Sequence, residues 1–298
     1  MSPCTDLPRI ALALLLGVAL PGLGAQDPAP QPDRAAEAAR AEARKAAKAA
    51  LKQASALGRV PRAVKGDERR NRLEQAVAAY ATVMARYAEQ ADLAAEAGFR
   101  QGQLLGRLTR YDEARRAYRQ ASRTDAGRFG ARALYEAGNL ERRLKRYDEA
   151  LACYREAAAF AQAGPGAAPV TKDNARYATR ARLWTGVALE SLGRKPEARE
   201  AWTALGRDEA ADPGVRIQAF DRMARSYLAE DAPDQARAVL DDADARIGPL
   251  CRGETKAEVD LRRRLASMSA RKALARALEE DGDDEDDGGD DEDGGRGR

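Results

Sequence analysis

The chain has 298 residues and a formal net charge of +3, with 33% charged and 5% aromatic residues. Histidine, the commonest general acid–base group and metal ligand, is absent, and three cysteines are too few for a zinc site of the Cys/His kind. We therefore expect no metal, no cofactor and no enzymatic activity.

The first 25 residues have the composition of an export signal. Arg9 precedes an uninterrupted apolar run of eleven residues, Ile10 to Leu20, and small residues follow it up to Ala25. This run is too short for a transmembrane helix, which needs about 20 residues. We expect residues 1–25 to be removed as a signal peptide, which places the protein in the periplasm or cell envelope without an integral membrane segment. The alternative is a buried or interfacial segment.

Two predicted helices precede the main part of the chain. Residues 26–33 form a proline-rich linker that cannot be helical. Residues 34–93 are predicted to hold an alanine-rich helix with a weak apolar stripe and then a clear amphipathic helix. Within this region, residues 71–93 have the pattern of half of a degenerate repeat.

An internal repeat follows. The string Leu108-Thr-Arg-Tyr-Asp-Glu-Ala114 returns 36 residues later as Leu144-Lys-Arg-Tyr-Asp-Glu-Ala150. A fixed period of this size predicts helical units that bury their apolar faces on one another. Over residues 95–250 we predict four units, and a proline- and glycine-rich insertion at 164–169 separates the second from the third. The units are 95–128, 131–164, 179–212 and 217–250.

The repeats resemble tetratricopeptide repeats, whose helix-turn-helix units carry small residues at two helix crossings. Gly102, Gly138, Gly186 and Ala224 occupy the first small position, and Ala114, Ala150, Ala198 and Ala236 the second. Tyr118, Tyr154, Trp202 and Leu240 occupy the large apolar position. Gly98 and Arg182 depart from the pattern, since a large apolar residue is expected there. The resemblance implies an all-α, right-handed solenoid with flanking helices and disordered termini.

In this family the first helices of successive repeats line a concave groove. The resemblance therefore implies a set of groove contacts that is rich in arginine: Arg100, Arg132, Tyr135, Asn139, Arg142, Arg143, Arg180, Trp184, Arg222 and Arg225, with Arg107 nearby. Glu96, Glu136, Glu190 and Asp221 oppose them. A groove with an excess of positive charge favours an acidic protein or peptide partner. The alternative is an ordinary solvated helix face.

The C-terminal part divides into a helix and an acidic tail. Residues 254–278 are predicted to form one amphipathic helix that caps the last repeat. Residues 279–298 contain 12 acidic residues and end with two arginines, so we predict a disordered tail. Because the whole chain carries +3, residues 1–278 carry +13. Of the cysteines, Cys153 and Cys251 remain after signal cleavage, and we expect two free thiols because distant repeats do not touch.

These features predict an exported, non-catalytic scaffold that mediates protein–protein interactions. An alternative is a basic solenoid that binds acidic polymers or acidic peptides, with the acidic tail as an intramolecular competitor. Nucleic acid is not an expected partner, because aromatic and basic residues do not interleave. A third hypothesis is an enzyme that uses Asp or Glu side chains for catalysis. No sequence motif indicates the shaped pocket that such chemistry needs.

Overall fold

The computed structural model describes residues 34–160 and 171–283, all of whose regular elements are helices. The predicted signal peptide, the proline-rich linker, the insertion at 164–169 and the end of the acidic tail lie outside these residues. The chain divides into two compact units, residues 1–42 and 43–298. Of the first unit, the structure describes only the exposed beginning of helix α1.

The helices follow one another in antiparallel pairs. Two helices precede the predicted repeats: α1 (Arg34–Gly58) and α2 (Gly66–Arg86). The first helices of the four units are α3 (Ala91–Arg107), α5 (Ala126–Arg143), α7 (Lys172–Ser191) and α9 (Pro213–Leu228). The second helices are α4 (Tyr111–Thr124), α6 (Tyr147–Ala159), α8 (Lys195–Gly206) and α10 (Pro233–Ile247). A 3-10 turn (Gly248–Cys251) leads to α11 (Lys256–Ala266) and α12 (Ser269–Asp283).

Within each unit a short turn reverses the chain, and one residue of that turn has a positive φ. These residues are Thr109 (61°), Lys145 (59°), Gly193 (76°) and Asp231 (55°). In all four turns, the amide that follows this residue donates back to a carbonyl of the first helix, for example Arg110 N to Leu105 O at 2.9 Å. The same backbone geometry thus recurs with four different residue types.

The small residues of the first helices lie where the second helices cross. A Cβ atom built on Gly138 would come within 2.6 Å of the Tyr154 ring, and one built on Gly186 within 2.2 Å of Trp202. Tyr154 and Trp202 are fully buried. These contacts confirm that the repeated small and large positions pack against each other, and they establish an all-α solenoid of helix-turn-helix units.

Two positions that depart from the repeat pattern are filled in other ways. Gly98 faces Met84, whose Cε would lie 3.2 Å from a Cβ atom at that site. Arg182 forms an ion pair with Asp208 at the end of α8, and it holds the pKa of that carboxyl below its usual range. The third unit therefore uses an ionic link where its neighbours use apolar contacts.

The N-terminal helix packs more firmly than its weak apolar stripe predicts. Ala47, Leu51 and Ala54 are buried in the same apolar cluster as α2 and α3. Arg44 donates two hydrogen bonds to Asp92, with Nη2 at 2.6 Å from Oδ2. This part of α1 therefore belongs to the helical stack.

The prediction of one C-terminal helix over 254–278 is wrong, because the chain breaks between α11 and α12. Asp221 of α9 accepts hydrogen bonds from the Ser269 hydroxyl and the Ala270 amide, both at 2.8 Å. A helix N-terminus has unpaired amides, and this carboxylate satisfies one of them. The second helix then continues to Asp283, five residues beyond the boundary expected for the tail.

Both described cysteines are free and buried, as expected. Burial raises the pKa of the Cys153 thiol and of the Cys251 thiol. Within residues 34–160 and 171–283, no helix is long and apolar enough to cross a membrane.

Candidate functional site

A cluster of aromatic rings from α5, α6 and α7 joins the second and third units. The ring centroids of Tyr135 and Tyr177 are 5.4 Å apart, those of Tyr135 and Tyr154 are 6.0 Å apart, and those of Tyr154 and Trp184 are 6.3 Å apart. Tyr154 is buried, whereas Tyr135, Tyr177 and Trp184 are partly exposed. The cluster therefore has a packed base and an accessible upper layer.

Arginines cover this upper layer. The guanidinium of Arg142 lies 4.4 Å from the centroid of the Trp184 ring, and that of Arg222 lies 6.0 Å from it. Arg132 and Arg180 lie over Tyr177, at 5.2 and 5.7 Å. Such stacking holds a guanidinium in place without neutralising its charge.

A second group of predicted groove residues surrounds a cavity between α3 and α5. This cavity has a volume of about 470 Å³, and its wall includes Arg107, Arg143, Tyr118, Asn139 and the carboxylate of Glu136. Arg107 also lines a neighbouring cavity of about 210 Å³, together with Arg100 and Tyr80. The open spaces thus continue from the first helices towards α1.

Six of the arginines predicted to line the groove or to lie near it make no ion pair within 4.0 Å in the part of the chain that the structure describes. They are Arg107, Arg142, Arg143, Arg180, Arg222 and Arg225. Many arginines of the second helices are paired instead, for example Arg115 with Asp112 and Arg119 with Glu156. The first-helix surface therefore keeps uncompensated positive charge.

The acidic residues predicted to oppose these arginines are largely engaged elsewhere. Glu96 pairs with Arg128 at 3.1 Å and with Arg100 at 3.8 Å. Glu136 accepts a hydrogen bond from Asn139, and Asp221 caps α12. In the described part of the chain, none of these acidic residues forms an ion pair with Arg142 or Arg222, the two arginines beside Trp184.

Buried hydroxyl groups support the base of the cluster. The Tyr154 hydroxyl donates to Asn139 Oδ1 at 2.9 Å. Burial raises the pKa of Tyr118, Tyr135 and Tyr154 above the usual value for tyrosine, so these hydroxyls remain protonated at neutral pH. Asn139 is thereby fixed at the cavity wall, with its amide group oriented by Tyr154 and Glu136.

The predicted contact residues thus fall into three places. Arg132, Tyr135, Arg142, Arg180, Trp184 and Arg222 surround the aromatic cluster. Arg100, Asn139 and Arg143 line the cavities. Arg225 is exposed on α9 and contacts neither group among the described residues.

Tyr177 is a member of the cluster that the sequence did not predict. It lies before residue 179, where the third unit was expected to begin, although α7 begins at Lys172. Its counterpart in the second unit is Phe129, which is buried. An aromatic residue at this position in both units was the available signal.

The described residues include no cluster of cysteine and acidic side chains suited to a metal ion. The groups that the site presents are guanidinium ions, aromatic rings and amides, with the carboxylate of Glu136 in the cavity wall. Guanidinium ions and amides are groups that can bind carboxylates and peptide backbones.

A family model for the tetratricopeptide repeat matches residues 99–168. No curated protein is significantly similar to the chain in sequence. Among solved structures, YrrB, described as a TPR protein with an unusual peptide-binding site, is 23% identical, with a TM-score of 0.40 over 59% of this chain and 78% of that one.

Two further structures show a similar extent of likeness. The first is pilF of Pseudomonas aeruginosa, which is 19% identical, with a TM-score of 0.44 over 80% of this chain and 91% of that one. The second is MamA, which is 18% identical, with a TM-score of 0.44 over 69% and 96%. All three TM-scores are below 0.5, and these likenesses carry no conclusion about function.

Proposed function

Since residues 99–168 of this chain belong to the tetratricopeptide repeat family, we propose that the protein is a non-catalytic scaffold that binds acidic segments of partner proteins. The site is the surface formed by α3, α5, α7 and α9, which we call the groove. The observation that carries the proposal is the set of six groove arginines without an ion pair among the described residues. An acidic ligand supplies the missing counter-charges.

The aromatic cluster adds a second mode of contact. Tyr135, Tyr177 and Trp184 are partly exposed and are held by packing against buried Tyr154. Aromatic side chains lose little conformational entropy on binding and present large apolar areas, which is why they are frequent at interface hot spots. The ligand therefore combines acidic groups with an apolar or extended backbone portion.

Affinity capture with matched variants tests this function. The bait is the mature protein, applied to a cell-envelope extract in low and in high salt. The groove variant carries Arg107→Glu and Arg143→Glu, two exposed residues of first helices without ion pairs in the described chain. The control carries Arg116→Glu and Arg155→Glu, which change the net charge equally on the second helices.

We expect the control to retain the partners of the wild-type protein and the groove variant to lose them. High salt should weaken capture, since exposed charges interact over about 8 Å at physiological ionic strength. Equal capture by the two variants would contradict binding at the groove.

We also propose that the protein is exported to the periplasm or cell envelope and that residues 1–25 are removed. The apolar run from Ile10 to Leu20 and the small residues after it support this location. Cell fractionation with N-terminal sequencing of the mature protein tests it. An N-terminus that still begins at Met1 would contradict cleavage.

The charge distribution favours a second candidate function, the binding of acidic polymers. Residues 1–278 carry +13, and the tail carries the opposite charge. In that function the tail competes with the ligand for the basic groove. Binding of a polyanion that depends on chain length but not on Trp184 would favour this candidate over a peptide partner.

A further inference from the structure

Tyr118 differs from Tyr154, its counterpart in the second unit, in the partner of its hydroxyl. The Tyr154 hydroxyl donates to Asn139 Oδ1 at 2.9 Å. Tyr118 is only 5% exposed, yet its hydroxyl has no hydrogen-bond partner among the residues that the structure describes. A polar group in a nearly buried side chain is normally paired, because the loss of its hydration is otherwise uncompensated.

The Tyr118 hydroxyl opens onto the cavity between α3 and α5, at the junction of the first and second units. The hydroxyl keeps some exposed surface, and this cavity is the space that Tyr118 lines. Its volume of about 470 Å³ lies within the range of about 300–1,000 Å³ that ligand pockets occupy. Gln103, the counterpart of Asn139, also lines the cavity, but its Oε1 accepts from Arg100 at 3.5 Å. The hydroxyl is thus available to a ligand in the cavity.

The wall of this cavity carries charges of both signs. Arg107 and Arg143 supply guanidinium groups, and Glu136 supplies a carboxylate. None of the three forms an ion pair within 4.0 Å in the described part of the chain, and Glu136 accepts one long hydrogen bond, from Asn139 at 3.4 Å. Burial raises the pKa of Tyr118, the Glu136 carboxylate adds to this increase, and Arg143 opposes it. Opposite charges therefore line one space without neutralising each other.

The junction of the second and third units shows how the same space is closed elsewhere in the chain. When the units are aligned on the glycines of their helix crossings, Trp184 takes the place of Glu136. The centroid of the Trp184 ring lies 6.3 Å from that of Tyr154. An indole thus packs near the tyrosine ring at the second junction, whereas a carboxylate and an open cavity occupy the first. The polar cavity is therefore a property of the first junction and not of the repeat.

We propose that the cavity between α3 and α5 binds a small zwitterion, a molecule with one carboxylate and one ammonium group. Arg107 and Arg143 donate hydrogen bonds to the carboxylate of the ligand. Glu136 accepts hydrogen bonds from its ammonium group, and a polar atom of the ligand pairs with the Tyr118 hydroxyl. Free amino acids and dipeptides belong to this class.

A zwitterion fits this wall better than a simple ion does. A simple anion is repelled by Glu136, and a simple cation is repelled by the two arginines. A zwitterion provides a partner for both kinds of charge. Leu104 and Leu140 add apolar surface for a side chain of the ligand. This inference goes beyond the acidic partner proposed above, because its ligand has no net charge.

Calorimetric titration of the full-length protein tests the ligand class with compounds that share one side chain. L-Leucine carries both charges, N-acetyl-L-leucine carries only the carboxylate, and L-leucinamide carries only the ammonium group. Leucyl-leucine is the fourth ligand. Its two charges are farther apart, so it distinguishes a dipeptide from a free amino acid as the source of the zwitterion.

Three variants of the cavity accompany the wild-type protein: Glu136→Gln, Arg143→Gln and Tyr118→Phe. Two controls on α6, Glu149→Gln and Arg155→Gln, make the same changes of charge at exposed positions. Phenylalanine at position 118 keeps the ring that packs against α3 and removes only the hydroxyl. Thermal unfolding of each variant establishes that it is folded.

We expect leucine or leucyl-leucine to bind on the order of tenfold more tightly than the acetylated and the amidated leucine, since each of these lacks one charged hydrogen-bond partner. Glu136→Gln and Arg143→Gln should each weaken binding of the zwitterion by a similar factor. Tyr118→Phe should weaken it by about threefold to tenfold, as the loss of a neutral hydrogen bond predicts. The two controls should bind as the wild-type protein does.

Equal binding of the zwitterions and N-acetyl-leucine would show that Glu136 takes no part, and it would overturn the inference. Unchanged affinity in any of the three cavity variants would place the ligand elsewhere, with the same conclusion. The absence of saturable binding of all four ligands at millimolar concentration would also overturn it. The proposed function is tested separately, by the capture of partners from the cell-envelope extract, so the two can fail independently.

Discussion

At the scale of single residues, the repeat depends on glycines that make room for rings. Tyr118 Cδ1 would be 2.8 Å from a Cβ atom at Gly102, and Tyr154 Cε1 would be 2.6 Å from one at Gly138. Atoms cannot approach so closely without a shift of the ring or of the helix. The same pair of positions therefore explains both the repeated glycine and the repeated aromatic residue.

Replacing Gly138 by alanine should destabilise the protein by about 1–3 kcal/mol, because the added methyl group overlaps the Tyr154 ring. The matched control is Gly106→Ala in α3, where a Cβ atom meets nothing within 4 Å. There, alanine should be neutral or stabilising by up to about 1 kcal/mol, since it favours the helix. Urea unfolding measures the change in the free energy of unfolding for each variant. Equal destabilisation by the two substitutions would contradict the close contact between position 138 and the Tyr154 ring.

The sequence predicted the buried residues better than the groove contacts. Tyr154 and Trp202 were predicted as core positions, and both are fully buried. Their burial follows from local repetition, which is visible in one sequence. Tyr177 was missed because its role depends on contacts with Tyr135 and Arg132, which belong to a helix of the preceding unit.

At the scale of helices and turns, each of the four units has one turn residue with a positive φ. The residue types at this position differ, so the sequence does not show that the backbone must be left-handed there. Only Gly193 has the residue type that favours this conformation, whereas Thr109 is β-branched and adopts it at a cost. Hydrogen bonds across the turn hold the chain there, including Arg110 N to Leu105 O and Arg194 N to Leu189 O, both at 2.9 Å. The turn is therefore conserved in geometry but not in composition within this chain.

An exchange of residues between two turns tests this requirement. Thr109→Gly should stabilise the first unit by about 1 kcal/mol, because glycine removes the penalty of the left-handed region. Gly193→Thr should destabilise the third unit by a similar amount. Thermal or urea unfolding measures both effects. Destabilisation by Thr109→Gly would show that side-chain contacts of the threonine outweigh its backbone strain.

The break between α11 and α12 could not be predicted from the sequence alone. Residues 254–278 have a continuous helical pattern, but Met268 is buried and the next helix begins on the carboxylate of Asp221. This cap is 48 residues away along the chain from Ser269. A pattern within one segment contains no information about such a distant hydrogen-bond partner.

At the scale of the whole molecule, charges of opposite sign are separated along the chain. The first 278 residues carry +13, and residues 284–298 follow the end of α12 with mostly acidic residues and glycines. A tethered segment of this length spans up to about 50 Å when extended. In the second candidate function, this tether gives the tail a high effective concentration at the groove compared with that of a free ligand.

Deletion of residues 284–298 should strengthen binding of an acidic peptide at low salt by about threefold to tenfold, because the tethered competitor is removed. The difference should disappear in high salt. A tail of equal length in which serine replaces the acidic residues separates charge from chain length. Calorimetric titration of the three proteins provides the affinities. If the native and the serine tail give the same affinity at low salt, the tail does not compete.

The arginine-lined groove has a consequence for proton exchange. Arginine keeps its charge throughout the accessible pH range, the chain has no histidine, and the pKa of Tyr135 is raised by burial. No groove group of this kind changes its protonation between about pH 6 and pH 9. Capture of a carboxylate is therefore uncoupled from proton uptake or release, and its heat should be the same in buffers of different ionisation enthalpy. In the proposed function, the ligand is therefore bound by a permanent charge, and salt rather than pH regulates its affinity.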